Sequence, residues 1–168
     1  MLQNFALILF PTLMVFAALS DLLTMTIPNR ISLVLISLYF ILAVWLGSDW
    51  RVIGLHVLAG VAVLAIALLA YAPGWIGGGD AKLVGAIALW VGWEHLLDYG
   101  LMASLAGGLV TLAVLVIASL DFSPGLHELP FVRLLAKKVN CVPYGVALAI
   151  GGLLIYPQTE IWRGLSAL

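Results

Sequence analysis

Long apolar runs alternate with short polar or glycine-rich breaks along this chain, and the breaks divide it into six apolar segments. A helix needs about 20 mostly apolar residues to cross the hydrocarbon core of a bilayer, and fewer where its ends are anchored. Proline, glycine and asparagine occur at the breaks, as expected where helices end and begin. The pattern therefore predicts six membrane-spanning helices, near residues 5–23, 31–46, 52–71, 81–93, 96–120 and 143–156.

The composition excludes a soluble protein. Hydrophobic residues make up 64% of the 168 residues, charged residues only 9%, and the mean hydropathy is +1.21. A soluble domain has about a quarter of its residues charged. We therefore predict an all-α, polytopic membrane protein in which residues 1–168 form a single six-helix domain.

The basic side chains predict how these helices are oriented. Membrane proteins keep an excess of Lys and Arg in their cytoplasmic loops. Six spans place five basic residues on one side, Arg30, Lys82, Arg133, Lys137 and Lys138, and the remaining two, Arg51 and Arg163, on the other. We expect the five-residue side to be cytoplasmic, both termini to lie outside, and the inner (cytoplasmic) membrane to hold the protein.

The longest break, residues 121–140, is expected to form a helix on the membrane surface. After Pro130, apolar residues alternate with basic ones at roughly helical spacing. Such amphipathic segments lie in the interface with their basic side chains toward the lipid headgroups. The predicted fold therefore includes a cytoplasmic interfacial helix between the fifth and sixth spans.

A glycine-rich break, Gly77-Gly78-Gly79, ends in Asp80 just before the fourth apolar run. One interpretation is structural, with the aspartate as the N-cap of the next helix and the glycines supplying the turn. The other is catalytic, with the glycines leaving room for a substrate backbone beside a carboxylate at the membrane edge. The motif alone favours capping, and a second intramembrane carboxylate would favour catalysis.

Asp21 is that second carboxylate. It lies in the last turn of the first predicted helix, where its charge opposes the helix dipole, and ionisable groups within a membrane are costly. The predicted topology puts Asp21 and Asp80 at the same depth on the cytoplasmic side. Taken alone, the presence of Asp21 in a membrane helix is also explained by contact of its carboxylate with headgroups or by pairing with Arg30 or Lys82.

Two carboxyl groups that share one site hold a single proton between them. The ionised member takes a proton from water, and the protonated member donates a hydrogen bond to a scissile carbonyl. This chemistry needs neither metal nor cofactor, and none is predicted. The single Cys141 excludes a cysteine-based zinc site, and the three histidines are far apart in sequence.

Three motifs in chain order resemble the prepilin peptidases, which are Gly-x-Gly-Asp intramembrane aspartyl proteases. They are Asp21 followed by Ile27-Pro28-Asn29, then Gly77-Gly78-Gly79-Asp80-Ala81-Lys82-Leu83, then Pro143-Tyr144-Gly145-Val146-Ala147. The resemblance implies that Asp21 and Asp80 are the catalytic pair. It also implies a function, removal of the short basic leader from type IV pilin-like precursors at the cytoplasmic membrane face.

The resemblance further indicates a branch of that family. Long members also methylate the new N-terminus and carry paired Cys-x-x-Cys motifs, whereas this chain has one cysteine and begins at its first helix. It is therefore similar to the peptidase-only branch that serves Flp-type pili, without a separate methyltransferase domain. The expected partners are prepilin or pseudopilin precursors and the bilayer, with no nucleic acid. The family often has a basic residue shortly after the first aspartate, and this chain has Leu22-Leu23-Thr24 there instead. We expect this difference to weaken contacts with the leader or with lipid.

The remaining motif residues are expected to bind substrate or shape the site. These are Gly77, Gly78, Gly79, Lys82, Pro28, Asn29, Pro143, Tyr144 and Gly145. Tyr144 suits a hydrogen bond to an aspartate or to substrate backbone, and equally an interfacial anchor. Lys82 either adjusts the ionisation of the aspartate pair or binds headgroups, and the sequence leaves both open.

Two other functions compete with proteolysis. A small proton-coupled transporter would use Asp21 and Asp80 as a proton relay, although transporters usually place such groups near the bilayer midplane within repeated halves. A structural subunit of an envelope complex would use them only for capping and headgroup contact. The structural function predicts that Asp-to-Asn changes at both positions are tolerated.

Overall fold

The computed structural model describes residues 2–119 and 142–167, which are all-helical apart from turns. The helices are α1 (Leu2–Thr24), α2 (Asn29–Trp45), α3 (Trp50–Tyr71), α4 (Gly78–Val91), α5 (Leu96–Ser119), α6 (Tyr144–Ile155) and α7 (Glu160–Ser166). A 3-10 turn, Tyr156–Gln158, joins the last two. Each predicted apolar segment corresponds to one of the helices α1 to α6, and every end lies within three residues of its predicted position.

Two sequence-based expectations need correction. Helix α4 begins at Gly78 with Gly77 as its N-cap, so Asp80 is the third residue of the helix and not the N-cap. Helix α7 was not predicted; the Thr159 hydroxyl caps it by accepting a hydrogen bond from the Trp162 backbone N–H at 3.3 Å. The predicted interfacial helix at 121–140 lies outside the described residues.

Three helices are long and apolar enough to cross a membrane by length and composition, over Gln3–Thr24, Trp50–Tyr71 and Leu96–Val116. Two further apolar stretches, Asn29–Trp45 and Tyr144–Gln158, are shorter. The fold is therefore that of an all-helical protein whose helices suit a bilayer.

Helix α4 occupies the centre of this bundle. Helices α2, α3 and α6 all pack on it, and its residues 85–91 are all buried. Because these residues face other helices and not water, this part of α4 needs no polar face. The 14-residue helix is accordingly apolar beyond Lys82.

An aromatic cluster holds one end of the bundle together. The Phe10 ring stacks on Tyr156 with centroids 4.5 Å apart and meets Trp90 at 4.8 Å. The indole N–H of Trp90 donates to the Leu35 carbonyl at 3.0 Å. Because these residues belong to α1, α2, α4 and the 3-10 turn, they fix four segments at the end of the bundle remote from Asp21.

Small residues bring α3 and α4 into close contact. A Cβ placed on Gly85 would lie 2.9 Å from the Leu64 Cβ, and one on Gly60 would lie 3.1 Å from the Gly85 carbonyl oxygen. Such glycines let helix backbones approach closely within a membrane. The position of α4 against α3 therefore depends on their lack of side chains.

We expect Gly85→Ala to lower the free energy of unfolding by about 1–3 kcal/mol, because the added methyl group overpacks the contact with Leu64. Thermal unfolding of the purified protein in detergent measures the change. Gly54→Ala, on the same helix pair but with no neighbour within 4 Å, is the matched control and should leave stability unchanged or slightly raised. Equal losses in the two variants would contradict the close packing.

Candidate active site

The motif residues of distant segments converge at one end of the bundle. Helix α1 ends there at Thr24, and α2, α4 and α6 begin there at Asn29, Gly78 and Tyr144. The residues brought to this end are Asp21, Pro28, Asn29, Gly77, Gly78, Gly79, Asp80, Lys82, Pro143, Tyr144 and Gly145.

Asp21 is buried, with 5% of its surface exposed, and its carboxylate lies against the first turn of α6. The backbone N–H of Gly145 donates to Oδ2 of Asp21 at 2.7 Å, and the Val146 N–H faces the same group. The N-cap residue of α6, Pro143, provides no side-chain cap. Asp21 therefore caps a helix distant in sequence, whose positive end offsets the opposing dipole of its own helix.

Gly145 has no room for a side chain. A Cβ at this position would lie 2.6 Å from Cδ1 of Ile27 and 2.8 Å from Oδ2 of Asp21. The glycine thus lets the α6 backbone reach the carboxylate directly. Tyr144, just before it, is 44% exposed at the first position of the helix.

Ile27 is a site-shaping residue absent from the set of site residues expected from the sequence. It is buried in the short connection between α1 and α2, and a Cβ on Gly79 would lie only 3.1 Å from its Cβ. Ile27 therefore fills the space between the first turns of α4 and α6. Its place in the Ile-Pro-Asn motif was the only sequence signal for this role.

The connection that carries Ile27 is fixed by local hydrogen bonds. Met25 adopts a positive φ of 54°, and the hydroxyl of Ser20 donates to the Thr26 carbonyl at 2.9 Å. The Thr24 hydroxyl donates to the Ser20 carbonyl at 2.7 Å and also meets the Thr26 hydroxyl at 2.8 Å. Pro28 then serves as the N-cap of α2 in an extended conformation.

Asp80 is half-buried in the first turn of α4 and differs from Asp21 in its hydrogen bonding. Its Oδ2 folds back over Gly77, where a Cβ would come within 2.8 Å, and the Gly77 N–H faces the carboxyl group. Its Oδ1 is buried and receives no hydrogen bond from residues 2–119 or 142–167. The Asp21 and Asp80 carboxyl groups are close enough to interact electrostatically.

Lys82 points away from this pair. Its Nζ donates to Oδ1 of Asn29 at 2.8 Å and so ties the start of α4 to the start of α2. Residues two apart on an α-helix lie about 200° apart around its axis. Lys82 and Asp80 accordingly occupy opposite sides of α4. Within the described parts of the chain, no three His, Cys, Asp or Glu residues come together as a metal site.

Comparison with known families identifies the chain. The sequence model of the type IV leader peptidase family matches residues 8–112, more than half of the 168 residues. This chain belongs to the type IV leader peptidase family. No curated protein and no solved structure gives a significant match.

The family match covers part of the site. It includes Asp21 and residues 77–82, and it ends before Pro143, Tyr144 and Gly145. Members are peptidases that process prepilin-type leaders, so this protein is a leader peptidase with membrane-compatible helices. The contact between Gly145 and Asp21 joins a segment outside the family match to the segment that the family model matches.

We expect Gly145→Ala to reduce precursor cleavage about 100-fold, because the new methyl group displaces Asp21 and Ile27 by roughly an ångström. Rates of leader removal by purified enzyme in detergent measure the effect. Gly108→Ala, where a Cβ meets nothing within 4 Å, is the control and should cleave at the wild-type rate. Wild-type cleavage by Gly145→Ala would contradict the tight contact.

Proposed function

We propose that this leader peptidase is an intramembrane aspartyl endopeptidase in which Asp21 and Asp80 form the catalytic pair. The observation that carries the proposal is the convergence of two carboxyl groups from sequence-distant helices at one end of the bundle. One is held by backbone N–H groups, and the other has a buried oxygen that receives no hydrogen bond from the described residues. Polar groups buried without partners are rare unless a ligand or a reaction uses them.

The different hydrogen bonding of Asp21 and Asp80 indicates which carboxyl group is the general base and which is the general acid. The hydrogen bond from Gly145 stabilises negative charge on Asp21. Oδ1 of Asp80 has no donor among the described residues, so the shared proton belongs there. Asp21 then acts as the general base and Asp80 as the general acid.

The proposed reaction follows from these assignments. Asp21 takes a proton from water, the resulting hydroxide attacks the scissile carbonyl carbon, and Asp80 gives its proton to the carbonyl oxygen. The tetrahedral diol collapses when Asp21 gives its proton to the amide nitrogen, Asp80 takes a proton from a diol hydroxyl, and the C–N bond breaks. The products are a carboxylic acid and an amine, which become carboxylate and ammonium in water, and the aspartate pair again holds one proton on Asp80.

The proposed substrates are Flp-type pilin precursors, cleaved at the cytoplasmic face. This assignment rests on the motifs and the single cysteine, which fit the peptidase-only branch. The turn between α3 and α4 is exposed beside the site at residues 71–75, so an extended peptide has an open approach to Asp80. Lipid-exposed peptide backbone is unfavourable, which favours cleavage at the water-facing edge.

We also propose that α1 to α6 all cross the membrane, with both termini outside. Helix α4 has 14 residues and rises about 21 Å, which is less than the hydrocarbon thickness of about 30 Å. Its burial among other helices supports a crossing in which the bilayer thins or water reaches one end.

Replacing either aspartate by asparagine should reduce precursor cleavage by about 10²–10⁴-fold or more, because asparagine neither accepts nor donates the catalytic proton. Asparagine at position 21 still offers an oxygen to the Gly145 N–H, so folding should be retained. Co-expression with a Flp-type precursor, followed by its mobility shift, measures the effect.

The matched control is Asp49→Asn, which changes a capping aspartate at the other end of the bundle. Asn caps helices as well as Asp, so cleavage should continue at the wild-type rate. If Asp21→Asn or Asp80→Asn still processes the precursor, that aspartate is structural and the aspartyl mechanism fails.

The topology is testable with single cysteines in a Cys141→Ser background. Ala72 and Glu94 are both exposed in turns, at the two ends of α4. A membrane-impermeant maleimide should label Glu94→Cys in intact spheroplasts, and Ala72→Cys only after permeabilisation. Labelling of Ala72→Cys in sealed spheroplasts would overturn the proposed orientation.

A further inference from the structure

Helices α2 and α3 both pack on α4, and a groove runs between them with α4 as its floor. Its cavity has a volume of about 390 Å³. Each helix contributes one stripe at helical spacing: residues 29, 32, 33, 36 and 40 from α2, 57, 60, 61 and 64 from α3, and 82, 85, 86 and 89 from α4. The groove therefore lies on the side of α4 away from Asp80.

The polar groups of the groove are confined to the end where α2 and α4 begin. Lys82 and Asn29 are hydrogen-bonded to each other there. An ammonium group has three donors, and residues 2–119 and 142–167 occupy one of those on Lys82, which leaves two for another acceptor. Arg30, exposed in the first turn of α2, adds a second positive charge at this end.

Ser32 follows one turn deeper and is 4% exposed. Ser32 lines the groove, and its hydroxyl oxygen, which is covered in this structure, has no hydrogen-bond partner among residues 2–119 and 142–167. An unpaired buried hydroxyl costs free energy unless an acceptor reaches it. Beyond Ser32 the walls are apolar, with Ile36, Phe40 and Val61 among them.

The sequence of groups along the groove is thus cation, hydroxyl donor and then apolar wall. A phospholipid presents the complementary sequence: anionic phosphate, ester carbonyl and acyl chain. On α2 the rise from Asn29 to Ser32 is about 4.5 Å, and from Asn29 to Phe40 about 16 Å. These spacings suit a headgroup and one chain lying parallel to the helices.

The width of a helix disfavours it as the occupant. With its side chains a helix is about 10 Å across. Such a helix would lie across the mouth of the groove, out of reach of the buried Ser32. An extended peptide would fit but would leave its backbone polar groups unpaired against apolar walls.

We propose that this groove binds one anionic phospholipid, with its phosphate on Lys82 and Arg30, an ester carbonyl on Ser32, and an acyl chain along α2, α3 and α4. The bound lipid would cover α4 on the side opposite Asp80 and would anchor the connection between Asn29 and Lys82. This site is independent of the catalytic pair, so it stands even if the proposed peptidase mechanism fails.

Native mass spectrometry of the full-length protein in detergent tests the proposal with phosphatidylglycerol and phosphatidylcholine of identical acyl chains. We expect one phosphatidylglycerol to bind about 25-fold more tightly than phosphatidylcholine, since each of the two basic residues near an anionic headgroup contributes about five-fold. Lys82→Gln should therefore reduce the preference about five-fold. Arg51→Gln, at the far end of α2 and α3, should retain it.

Ile36→Trp tests the acyl-chain part of the groove. Ile36 lines the groove and is 36% exposed, so the larger ring enters the groove rather than the packed core. We expect lipid retention to fall at least five-fold. Ile41→Trp, on the same helix, 63% exposed and outside the groove, is the matched control and should retain lipid.

Size exclusion and thermal unfolding identify any variant that misfolds. The lipid preference of Lys82→Gln tests the proposal even if a tryptophan variant misfolds. Equal affinity for the two lipids, or wild-type retention by Ile36→Trp, would overturn the proposal. Displacement of phosphatidylglycerol by a synthetic precursor peptide would assign the groove to substrate instead.

Discussion

The hydrogen bond from the Gly145 backbone to Asp21 is the contact on which the site depends. It joins the end of α1 to the beginning of α6, across 124 positions of sequence, with a donor–acceptor distance of 2.7 Å. Asp21 is buried at an unfavourable end of its own helix, and the positive end of α6 makes that position tenable. The absent side chain of Gly145 allows the contact, and Ile27 fills the space beside it.

Helix α4 positions Asp80 near this contact and Lys82 away from it. Its first turn presents Asp80 toward Asp21 at the end of α1, while Lys82 turns toward Asn29 on α2. Further along, Gly85 and Gly60 let it press against α3, and Trp90 anchors its other end. A short helix that is packed along its whole length has little freedom to shift, so the aspartate at its start is held in a defined place.

The two carboxyl groups differ in a way suited to a division of roles. Asp21 is buried with backbone donors, and Asp80 is half-buried with one oxygen unpaired among the described residues. The opposite side of the same helix has a different chemistry, a cationic end followed by a buried hydroxyl and an apolar groove.

The sequence by itself determined the six apolar segments, because helix length, glycine breaks and proline caps are local properties. It also singled out Asp21, as a carboxylate in an apolar run, and Asp80, after three glycines, and the resemblance to the prepilin peptidases added Gly145. Only the tertiary structure decided that Asp80 is the third residue of α4, that Ile27 separates Gly79 from Gly145, and that Lys82 turns toward Asn29. These features depend on which helices lie side by side, and no local pattern encodes a distance between residues 53 or 124 positions apart.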